Sequence, residues 1–241
     1  MFKTSTEKIL PVDMILKIPK IKTRNEYWNK RFLQGVIYGK KSSMLASFVL
    51  KYLKKFKPQK ILVVGGGYGR NAAFFAKNGF FVINADISAN ALNLGKKIFC
   101  NLSNLIFLKD DILKSKIKRH SFDSVVCLYS MSLFSDNEIK TALNTIKKIL
   151  KPDGLFICNF LSKKDDEYKL GTKINENILL SDDKKQLVNF YDRKRVANLL
   201  KLIGFKILKI NEVSEKRFIN IFHKEFNSNS WFVVSQKPIR K

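Results

Sequence analysis

The stretch ILVVGGGYGRNAAFFAKNGFFVINADIS, residues 61–88, predicts a strand, a glycine-rich turn, a helix and a second strand in succession. An apolar run ends in the turn, a segment with helical periodicity follows, and a second apolar run ends in Asp86. Gly65, Gly67 and Gly69 allow a sharp turn and let a ligand approach the main chain without a Cβ in the way. Asp86 lies where a carboxylate can accept hydrogen bonds from both hydroxyls of a ribose. The stretch therefore predicts a site for a nucleoside-bearing cofactor.

Strands and helices are predicted to alternate along most of the chain. The predicted strands are 60–64, 80–85, 105–108, 121–130, 154–160, 205–210 and 231–236, and the predicted helices are 23–34, 42–56, 69–78, 89–99, 136–150 and 192–202. The turn KPDG is expected to close the helix that ends at Leu150, and segment 161–190 is predicted to be polar and irregular. The alternation favours an α/β fold in which helices cover both faces of a parallel sheet.

Acidic residues fall at one edge of the predicted sheet. Asp86 ends the second strand, and Asp110 and Asp111 follow the third. Ligands of parallel sheets bind at the carboxyl ends of the strands, where the strand order reverses. Together with the glycine turn after the first strand, these acids predict a single site at that edge, which is a more specific signal than the glycines alone.

The ordered motifs resemble those of class I S-adenosylmethionine-dependent methyltransferases. VVGGGYGRNAAFFAKNGFFVINADIS is similar to the family's glycine motif and second strand, FLKDDIL to its adenine-binding segment, and SFDSVVCLYSMSLF to its fourth strand. IKKILKPDGLFICNF resembles the helix, turn and fifth strand, and NFYDRKRVANLLKLIGFKILKI resembles the last helix and sixth strand. Two segments resemble those of small bacterial members of the tellurite-resistance and thiopurine-methyltransferase-like group. They are GRNA and, upstream of it, YWNKRFLQGVIYGKKSSMLASFV. The resemblance extends from about Tyr27 to about Lys237.

The resemblance implies a Rossmann-like class I methyltransferase fold, with a mostly parallel seven-stranded sheet, helices on both faces and an antiparallel last strand. It implies S-adenosyl-L-methionine as the cofactor. Residues 1–22 would be an N-terminal extension, 23–57 helices that cover the cofactor site, and 58–241 the methyltransferase domain, with 161–191 inserted on the substrate side. The glycine spacing agrees, because GGGYG departs from the G-x-G-x-x-G fingerprint that binds a dinucleotide pyrophosphate, and S-adenosylmethionine has no phosphate.

The resemblance also implies a set of cofactor-binding residues. They are Gly65, Gly66, Gly67, Gly69, Arg70, Asp86, Ile87, Asp110, Asp111, Ile112, Leu128, Tyr129, Arg31 and Tyr38.

Individual roles follow from the same resemblance. Asp86 would hold the ribose hydroxyls, and Asp111 with the backbone of Ile112 would face the adenine, with Asp110 as the neighbouring candidate. Residues 128–130 would line the pocket beneath the sulfonium.

The N-terminal segment has two interpretations. Tyr27, Trp28, Arg31 and Tyr38 would close over the cofactor, with Arg31 able to pair with its carboxylate. Alternatively, Trp28 and Phe32 simply dock the first helix through their four-residue spacing.

Two positions depart from the family's pattern. Most members carry an acid two residues before the first glycine, where it helps to hold the ammonium group of the methionine, but this chain has Val63. The second loop position, often a small polar residue or cysteine, is Gly66. The ammonium group would then need another acceptor, such as backbone carbonyls.

The formal net charge of +26 admits two explanations. Lysine and arginine neutralise phosphates, so a polyanionic partner such as RNA is one of them. The other is compositional bias, because the chain has 38 lysines, only 8 arginines and abundant Ile, Asn and Phe, as an AT-rich genome encodes. The lysines are scattered along the whole chain, whereas a nucleic-acid interface tends to concentrate charge with arginine and aromatics. Bias is therefore favoured.

Composition limits the other classes. No apolar run approaches the length of a membrane span, and the N-terminus lacks the features of a signal peptide. Cys127 and Cys158 lie in strand-like runs and are expected to be buried and reduced, and with Cys100 they form no C-x-x-C motif. With only two histidines, no metal site is expected. A cytoplasmic location follows as the default.

The acceptor is less well defined by the sequence. LYSMSLF follows the fourth strand in place of the Asn-Pro-Pro-aromatic segment of enzymes that methylate exocyclic amines of bases, and no separate RNA-binding module is visible. A small-molecule acceptor is therefore expected, with an RNA methyltransferase and a degenerate, non-catalytic binding protein as alternatives. Polar candidates on the acceptor side are Asp165, Asp166, Tyr168, Tyr191 and His223. Surface polarity explains the acids equally well, so no catalytic base is assigned.

Overall fold

The computed structural model describes residues 23–170, 172–181, 186–219 and 224–239. The predicted N-terminal extension, 1–22, and His223 lie outside the described residues.

Seven α-helices lie in the described residues, five of them with a side chain that caps the first turn. They are α1 (Arg24–Phe32), α2 (Met44–Phe56), α3 (Arg70–Lys77), α4 (Ala89–Ile98), α5 (Asp136–Ile149), α6 (Glu167–Leu170) and α7 (Arg193–Ile203). Thr23 and Ser135 form capping boxes with the glutamates three residues on, which satisfies amide groups that have no partner within the helix. Ser43, Ser88 and Asp192 cap α2, α4 and α7 with their side-chain oxygens.

The strands form one large sheet and one small sheet. They are β1 (Lys60–Val64), β2 (Phe81–Asp86), β3 (Leu105–Lys109), β4 (Phe122–Cys127), β5 (Leu150–Leu161), β6 (Thr172–Lys173), β7 (Ile178–Leu180), β8 (Leu187–Asn189), β9 (Lys206–Ile219) and β10 (Lys224–Gln236). The seven-stranded sheet has the order β3-β2-β1-β4-β5-β10-β9. The first five strands pair in parallel, and β10 is antiparallel to both of its neighbours. The predicted mostly parallel sheet with an antiparallel last strand is thus confirmed.

The strand order reverses between β1 and β4. The chain moves from β1 outward to β2 and β3, and then returns to place β4 on the other side of β1. In such sheets the connections on the two sides diverge above the carboxyl ends of the central strands and leave a crevice there. The turn after β1, the end of β2 and the end of β4 all border this crevice.

Apolar clusters cover both faces of the sheet. On one face, α5 and α7 pack against strand residues such as Phe156, and on the other, α2 and α3 pack against Ile61 and its neighbours. Cys127 and Cys158 pair across β4 and β5 as buried free thiols, as expected from the sequence.

The prediction of an irregular segment over 161–190 was wrong. This segment contains α6 and a small antiparallel sheet of the order β6-β7-β8. Its apolar residues Leu161, Leu179, Val188 and Phe190 form a separate buried cluster. Strands of two or three residues are too short to show the alternation by which a strand is recognised, which explains why the sequence pattern did not reveal them.

Two other boundaries differ from the predictions. The KPDG turn lies inside β5, where Asp153 has a φ of 60° and the β4–β5 register shifts between Phe122 and Ser124. Strands β9 and β10 are longer than expected and extend past the sheet as a two-stranded ribbon. Strand β10 pairs with β5 only from Ser230 to Gln236, so 224–229 pair with β9 alone.

Candidate active site

A cavity of about 490 Å³ lies at the carboxyl ends of the central strands. Its wall includes the turn after β1, the ends of β2 and β4, helix α1, and residues of the small sheet. Of the cofactor-binding residues predicted from the sequence, all except Gly69 line it. Gly69 instead begins α3 with a φ of 83°, and Phe107 occupies the space beside its Cα. The structure therefore brings together residues that lie as far apart in sequence as Arg31 and Tyr129.

The carboxylate of Asp86 joins the end of β2 to the glycine turn. It is almost fully buried, and it accepts hydrogen bonds from the amides of Gly67 (2.7 Å) and Ser88 (2.8 Å). Burial raises its pKa above the usual value of 3.8, and these backbone hydrogen bonds oppose that rise. Ser88 caps α4 through its own hydroxyl, so Asp86 is not needed as the cap. Each carboxylate oxygen keeps a second lone pair that can face the cavity.

Asn84 is a site-forming residue that the sequence analysis missed. Its side chain is fully buried under the glycine turn, and its amide nitrogen donates to the carbonyl of Gly67 (2.9 Å). Its Oδ1 has no partner and lies 1.9 Å from where a Cβ on residue 66 would be. Gly66 is therefore required at the second loop position because Asn84 occupies that space from below. The alternating pattern of β2 gave no sign that an inward-facing position would be polar.

The two acids after β3 have different surroundings. The backbone amide of Asp110 donates to the carbonyl of Asp86 (3.1 Å), which brings the two loops together. Burial raises the pKa of the Asp110 carboxyl, and the nearby charge of Asp111 adds to this effect. Asp111 accepts a hydrogen bond from the amide of Leu113 (3.1 Å) and so shapes its own turn. Both acids and the buried Ile112 line the cavity.

Helix α1 is docked by an aromatic row and a polar contact. The rings of Trp28 and Phe32 lie 5.7 Å apart, and the ring of Phe32 meets that of Tyr68 edge-on at 5.8 Å. Asn29 accepts hydrogen bonds from the hydroxyl of Ser88 (3.0 Å) and the amide of Asn90 (3.2 Å). The geometry is compatible with both interpretations of this segment, because residues that dock α1 also line the cavity.

Arg70 and Tyr68 fasten the segment that follows α1. The Arg70 guanidinium donates to the carbonyl of Tyr38 (2.7 Å), and the Tyr68 hydroxyl donates to the carbonyl of Gly39 (2.6 Å). Burial raises the pKa of Tyr68 to about 12, so its hydroxyl keeps its proton at neutral pH. Tyr68 is a second contributor that the sequence analysis did not select. The arginine of the GRNA stretch thus has a structural partner in this conformation.

The end of β4 is fixed by polar contacts. Tyr129 has a φ of 62°, which ends the strand earlier than predicted, and its amide donates to Oδ1 of Asn159 (2.8 Å). Its hydroxyl donates to the carboxylate of Glu215. The Ser130 hydroxyl donates to the carbonyl of Gly65 (3.2 Å), joining this segment to the glycine turn. Burial raises the pKa of the Cys127 thiol, which favours the protonated thiol over a thiolate there.

Two of the polar acceptor-side candidates have structural partners. Asp165 is fully buried and accepts hydrogen bonds from the Ser228 hydroxyl and the Asn229 amide (both 2.9 Å), and Asp166 accepts one from the Asn227 amide (2.8 Å). These bonds attach the ribbon of β9 and β10 to segment 162–170. Neither acid lines the cavity.

The two tyrosines among these candidates also lie outside the cavity wall. Tyr168 donates to the carbonyl of Glu176 (2.9 Å), whereas the Tyr191 hydroxyl is buried without a partner. The structure therefore does not bring either tyrosine to the cavity.

Among the described residues, no group of three or more His, Cys, Asp or Glu side chains could hold a metal ion. None of the described helices is long and apolar enough to cross a membrane.

Residues 61–154 match a family model described as a methyltransferase domain. The matched part runs from β1 into β5 and contains the glycine turn, Asp86 and Asp111. This segment is therefore similar to a methyltransferase domain, and the sheet that contains it has the Rossmann-like fold of class I methyltransferases. A Geobacillus sp. (strain WCH70) protein named as a candidate methyltransferase is 28% identical over 165 residues, which cover 66% of this chain and 63% of that protein. A demethylmenaquinone methyltransferase of Streptomyces avermitilis is 32% identical over 103 residues, which cover 42% of each chain. The chain thus spans less than two thirds of the length of either relative.

Solved structures show the same fold at lower identity. A SAM-dependent methyltransferase from Methanosarcina mazei superposes with a TM-score of 0.66 at 16% identity, covering 78% of this chain and 98% of that one. The 1,6-didemethyltoxoflavin-N1-methyltransferase of Burkholderia thailandensis, with 1,6-didemethyltoxoflavin and S-adenosylhomocysteine bound, has a TM-score of 0.61 at 15% identity. That match covers 98% of this chain and 94% of the other. At these identities the likeness shows the architecture alone.

Proposed function

We propose that this protein is an S-adenosylmethionine-dependent methyltransferase that acts on a small-molecule acceptor. The observation that carries the proposal is the continuous cavity, which has the glycine turn, Asp86 and Asp111 at one end and residues of segment 161–190 at the other. A methyl transfer needs both reactants in one enclosed space, so a cavity with two chemically different ends suits that reaction. The family match and the two solved methyltransferases that carry the same fold support this function.

The cofactor end has groups that suit an adenosine. Asp86 offers carboxylate oxygens to the ribose hydroxyls, while Asp111 and the backbone of Ile112 face the adenine. The glycine turn lines the cavity and presents a backbone without Cβ atoms to the methionine portion. Glycine is also needed there because Cβ atoms at Gly65 and Gly66 would clash with Ser130 and Asn84. Arg31 is assigned to the carboxylate of the methionine. Residues 23–57 are the cover of this end, and 161–191 form the substrate-side insertion.

The methionine ammonium group requires an acceptor other than residue 63. Val63 is buried, and its side chain packs with the apolar cluster under α2 and α3. The carbonyl of Gly65 accepts a single hydrogen bond, from Ser130, and a carbonyl oxygen has two lone pairs. We assign the ammonium group to backbone carbonyls of the glycine turn, with Gly65 first among them.

Bound at this end, S-adenosylmethionine supplies an electrophilic methyl group, which the lone pair of the acceptor takes up while sulfur keeps the electron pair of the broken bond. The residues of the chain orient the two reactants and exclude water. Trp28, Phe32 and Tyr38 line the cavity from the N-terminal side and restrict access of solvent. A proton carried by the acceptor passes to solvent, since no side chain is assigned as base.

Finer placements belong to this proposal. The chain is assigned to the tellurite-resistance and thiopurine-methyltransferase-like group on its GRNA stretch and N-terminal segment, and to the cytoplasm. RNA methylation is the less favoured alternative.

Titration calorimetry with S-adenosylhomocysteine tests the proposal. Micromolar binding to the wild-type chain is expected, together with weaker binding to Asp111→Asn because the adenine loses a charged acceptor. Unchanged binding to Asp111→Asn would remove the adenine assignment. Absence of binding at millimolar concentrations would identify a degenerate, non-catalytic fold. A structure with the product cofactor bound would then show where its sulfur points.

A further inference from the structure

The end of the cavity away from the glycine turn is lined by apolar side chains from separate segments. Leu133 follows β4, Leu161 ends β5, and the remaining residues belong to the small sheet and the segment after it. The six that define this surface, here called the acceptor wall, are Leu133, Leu161, Leu179, Leu180, Val188 and Phe190. Leu161, Leu179, Val188 and Phe190 also form the buried cluster of segment 161–190. The acceptor wall is therefore held in place by its own packing.

Among the described residues, the basic side chains that line this cavity are arginines and not lysines. The sequence has 38 lysines, yet no lysine is among the described residues that line the cavity. The arginines that line it are Arg24, Arg31 and Arg70. Arg70 is bonded to the carbonyl of Tyr38, and Arg31 lies 5.9 Å from the ring of Tyr27 on the N-terminal side.

Arg24 also lines the cavity, and its charge is already paired. Its guanidinium forms an ion pair with Glu138 and lies 4.7 Å above the ring of Phe134, which also lines the cavity. Among the described residues, segment 161–190 contributes one charged residue to the cavity, the acid Glu167. A phosphate or sulfate on the acceptor would meet an apolar wall and a carboxylate, and burying such a charge without a partner is costly.

We infer that the methyl acceptor is an uncharged, largely apolar molecule that packs against the acceptor wall. Polar atoms at this end come from Ser181 and Gln186, which suit one or two hydrogen-bonding groups on an otherwise apolar molecule. The excess of lysine among the described residues is then unrelated to acceptor recognition. This inference rests on the proposed function, because only a methyltransferase has a methyl acceptor. The preference of the cavity for an uncharged apolar ligand can nevertheless be measured without the cofactor.

The test uses a neutral fluorescent probe, N-phenyl-1-naphthylamine, titrated with and without saturating S-adenosylhomocysteine. Two competitors share the naphthalene ring and differ in the group that it carries: 1-naphthol has a neutral hydroxyl and 1-naphthyl phosphate has an anionic phosphate ester. We expect one probe site per chain, and we expect 1-naphthol to displace the probe at least about tenfold more strongly than the phosphate ester, because an unpaired charge opposes burial. Equal or stronger displacement by the phosphate ester would overturn the inference.

A matched pair of variants locates the site. Leu170 lines the cavity at the end of α6 and is 46% exposed, so Leu170→Lys adds a charge there without opening the core. Leu187 is 38% exposed on β8 and does not line the cavity, so Leu187→Lys is the control. Probe affinity should fall about fivefold or more in Leu170→Lys and stay within about twofold in Leu187→Lys. Equal effects of the two variants would place the probe elsewhere and overturn the inference.

Calorimetry separates this result from that of the proposed function. If S-adenosylhomocysteine binds and the phosphate ester is preferred, the inference fails while the methyltransferase proposal stands. If S-adenosylhomocysteine does not bind, the methyltransferase proposal fails, and the probe titration without it still measures the preference of the wall.

Discussion

The two ends of the cavity are held together in different ways. At the glycine end, short turns are fixed by backbone hydrogen bonds, and one carboxylate, that of Asp86, receives two of them. At the acceptor end, apolar side chains from separate segments form the wall, and buried Asp165 attaches that region to the ribbon of β9 and β10. The first end is therefore defined by main-chain geometry and the second by side-chain packing.

This difference determines how each end can change. A turn whose glycines have no room for a Cβ tolerates few substitutions. We therefore expect the glycine end to keep the same cofactor in related proteins that act on different acceptors. The acceptor wall can exchange one apolar side chain for another without altering the large sheet, because its cluster is separate. We therefore expect segment 161–190 to determine which acceptor is bound, and the glycine turn to bind the cofactor.

Asp86→Ala should cause the largest loss of cofactor affinity at the glycine end. The change removes both the proposed acceptor of the ribose hydroxyls and the carboxylate that accepts a hydrogen bond from the Gly67 amide. Two charge-assisted hydrogen bonds to the ribose would account for about 3 kcal/mol, so we expect the affinity for S-adenosylhomocysteine to fall about 100-fold in calorimetry.

Ser88→Ala is the matched control for that change. It removes the cap of α4, which should cost about 1 kcal/mol of stability, but it leaves the carboxylate in place. Its affinity should stay close to that of the wild type. If both variants lose affinity equally, Asp86 acts through the helix and not through the ribose.

The same carboxyl should make cofactor affinity depend on pH. Because burial raises the pKa of Asp86 above 3.8, protonation begins at a higher pH than in an exposed aspartate. The protonated group accepts fewer hydrogen bonds, so affinity should fall as the pH is lowered towards that raised pKa. The native state binds this proton more tightly than the unfolded chain, so the contribution of Asp86 to folding falls as the pH rises from 3.8 through the raised pKa. Asp86→Asn should show a flat affinity profile, and a sloping one would assign the titration to another group.

Gly66→Ala should weaken the same end by a smaller amount. A Cβ at residue 66 would lie 1.9 Å from Oδ1 of Asn84, and such crowding in a packed interior costs about 1–3 kcal/mol. We expect a lower midpoint of thermal unfolding and about tenfold weaker binding of S-adenosylhomocysteine.

Asn84→Ala tests the cause of that loss. The single variant removes a hydrogen bond to Gly67, but it also opens the space that a Cβ at residue 66 needs. The double variant should therefore be more stable than the sum of the two single effects. Strict additivity would show that crowding against Asn84 is not the reason for the glycine.

The sequence predicted which residues meet at the glycine end, because the signals there are local; their roles toward the cofactor stay predictions. A turn without side chains, an acid at the end of β2 and acids after β3 meet at one sheet edge by topology alone, and all of these except Gly69 line the cavity. Asn84 was missed because a polar residue that faces inward on a buried strand has no local signature. The small sheet was missed because its strands are two or three residues long and its cluster joins Leu161 to Phe190 across intervening polar residues.

Val63→Asp would add a carboxylate near the glycine turn, where the proposed acceptors of the ammonium group are backbone carbonyls. If the ammonium group lies near the carbonyl of Gly65, a carboxylate two residues earlier should strengthen binding of S-adenosylhomocysteine by about threefold to tenfold. The apo protein should become less stable, because Val63 is 3% exposed and a buried charge is costly without its partner. The increase in melting temperature on adding S-adenosylhomocysteine should therefore exceed that of the wild type. Leu62→Asp is the control, since Leu62 is buried on the same strand, packs on the opposite face of the sheet and does not line the cavity, and it should lose stability without gaining affinity. An equal gain in both variants would mean that the added charge acts at long range and that the ammonium group is not held at this turn.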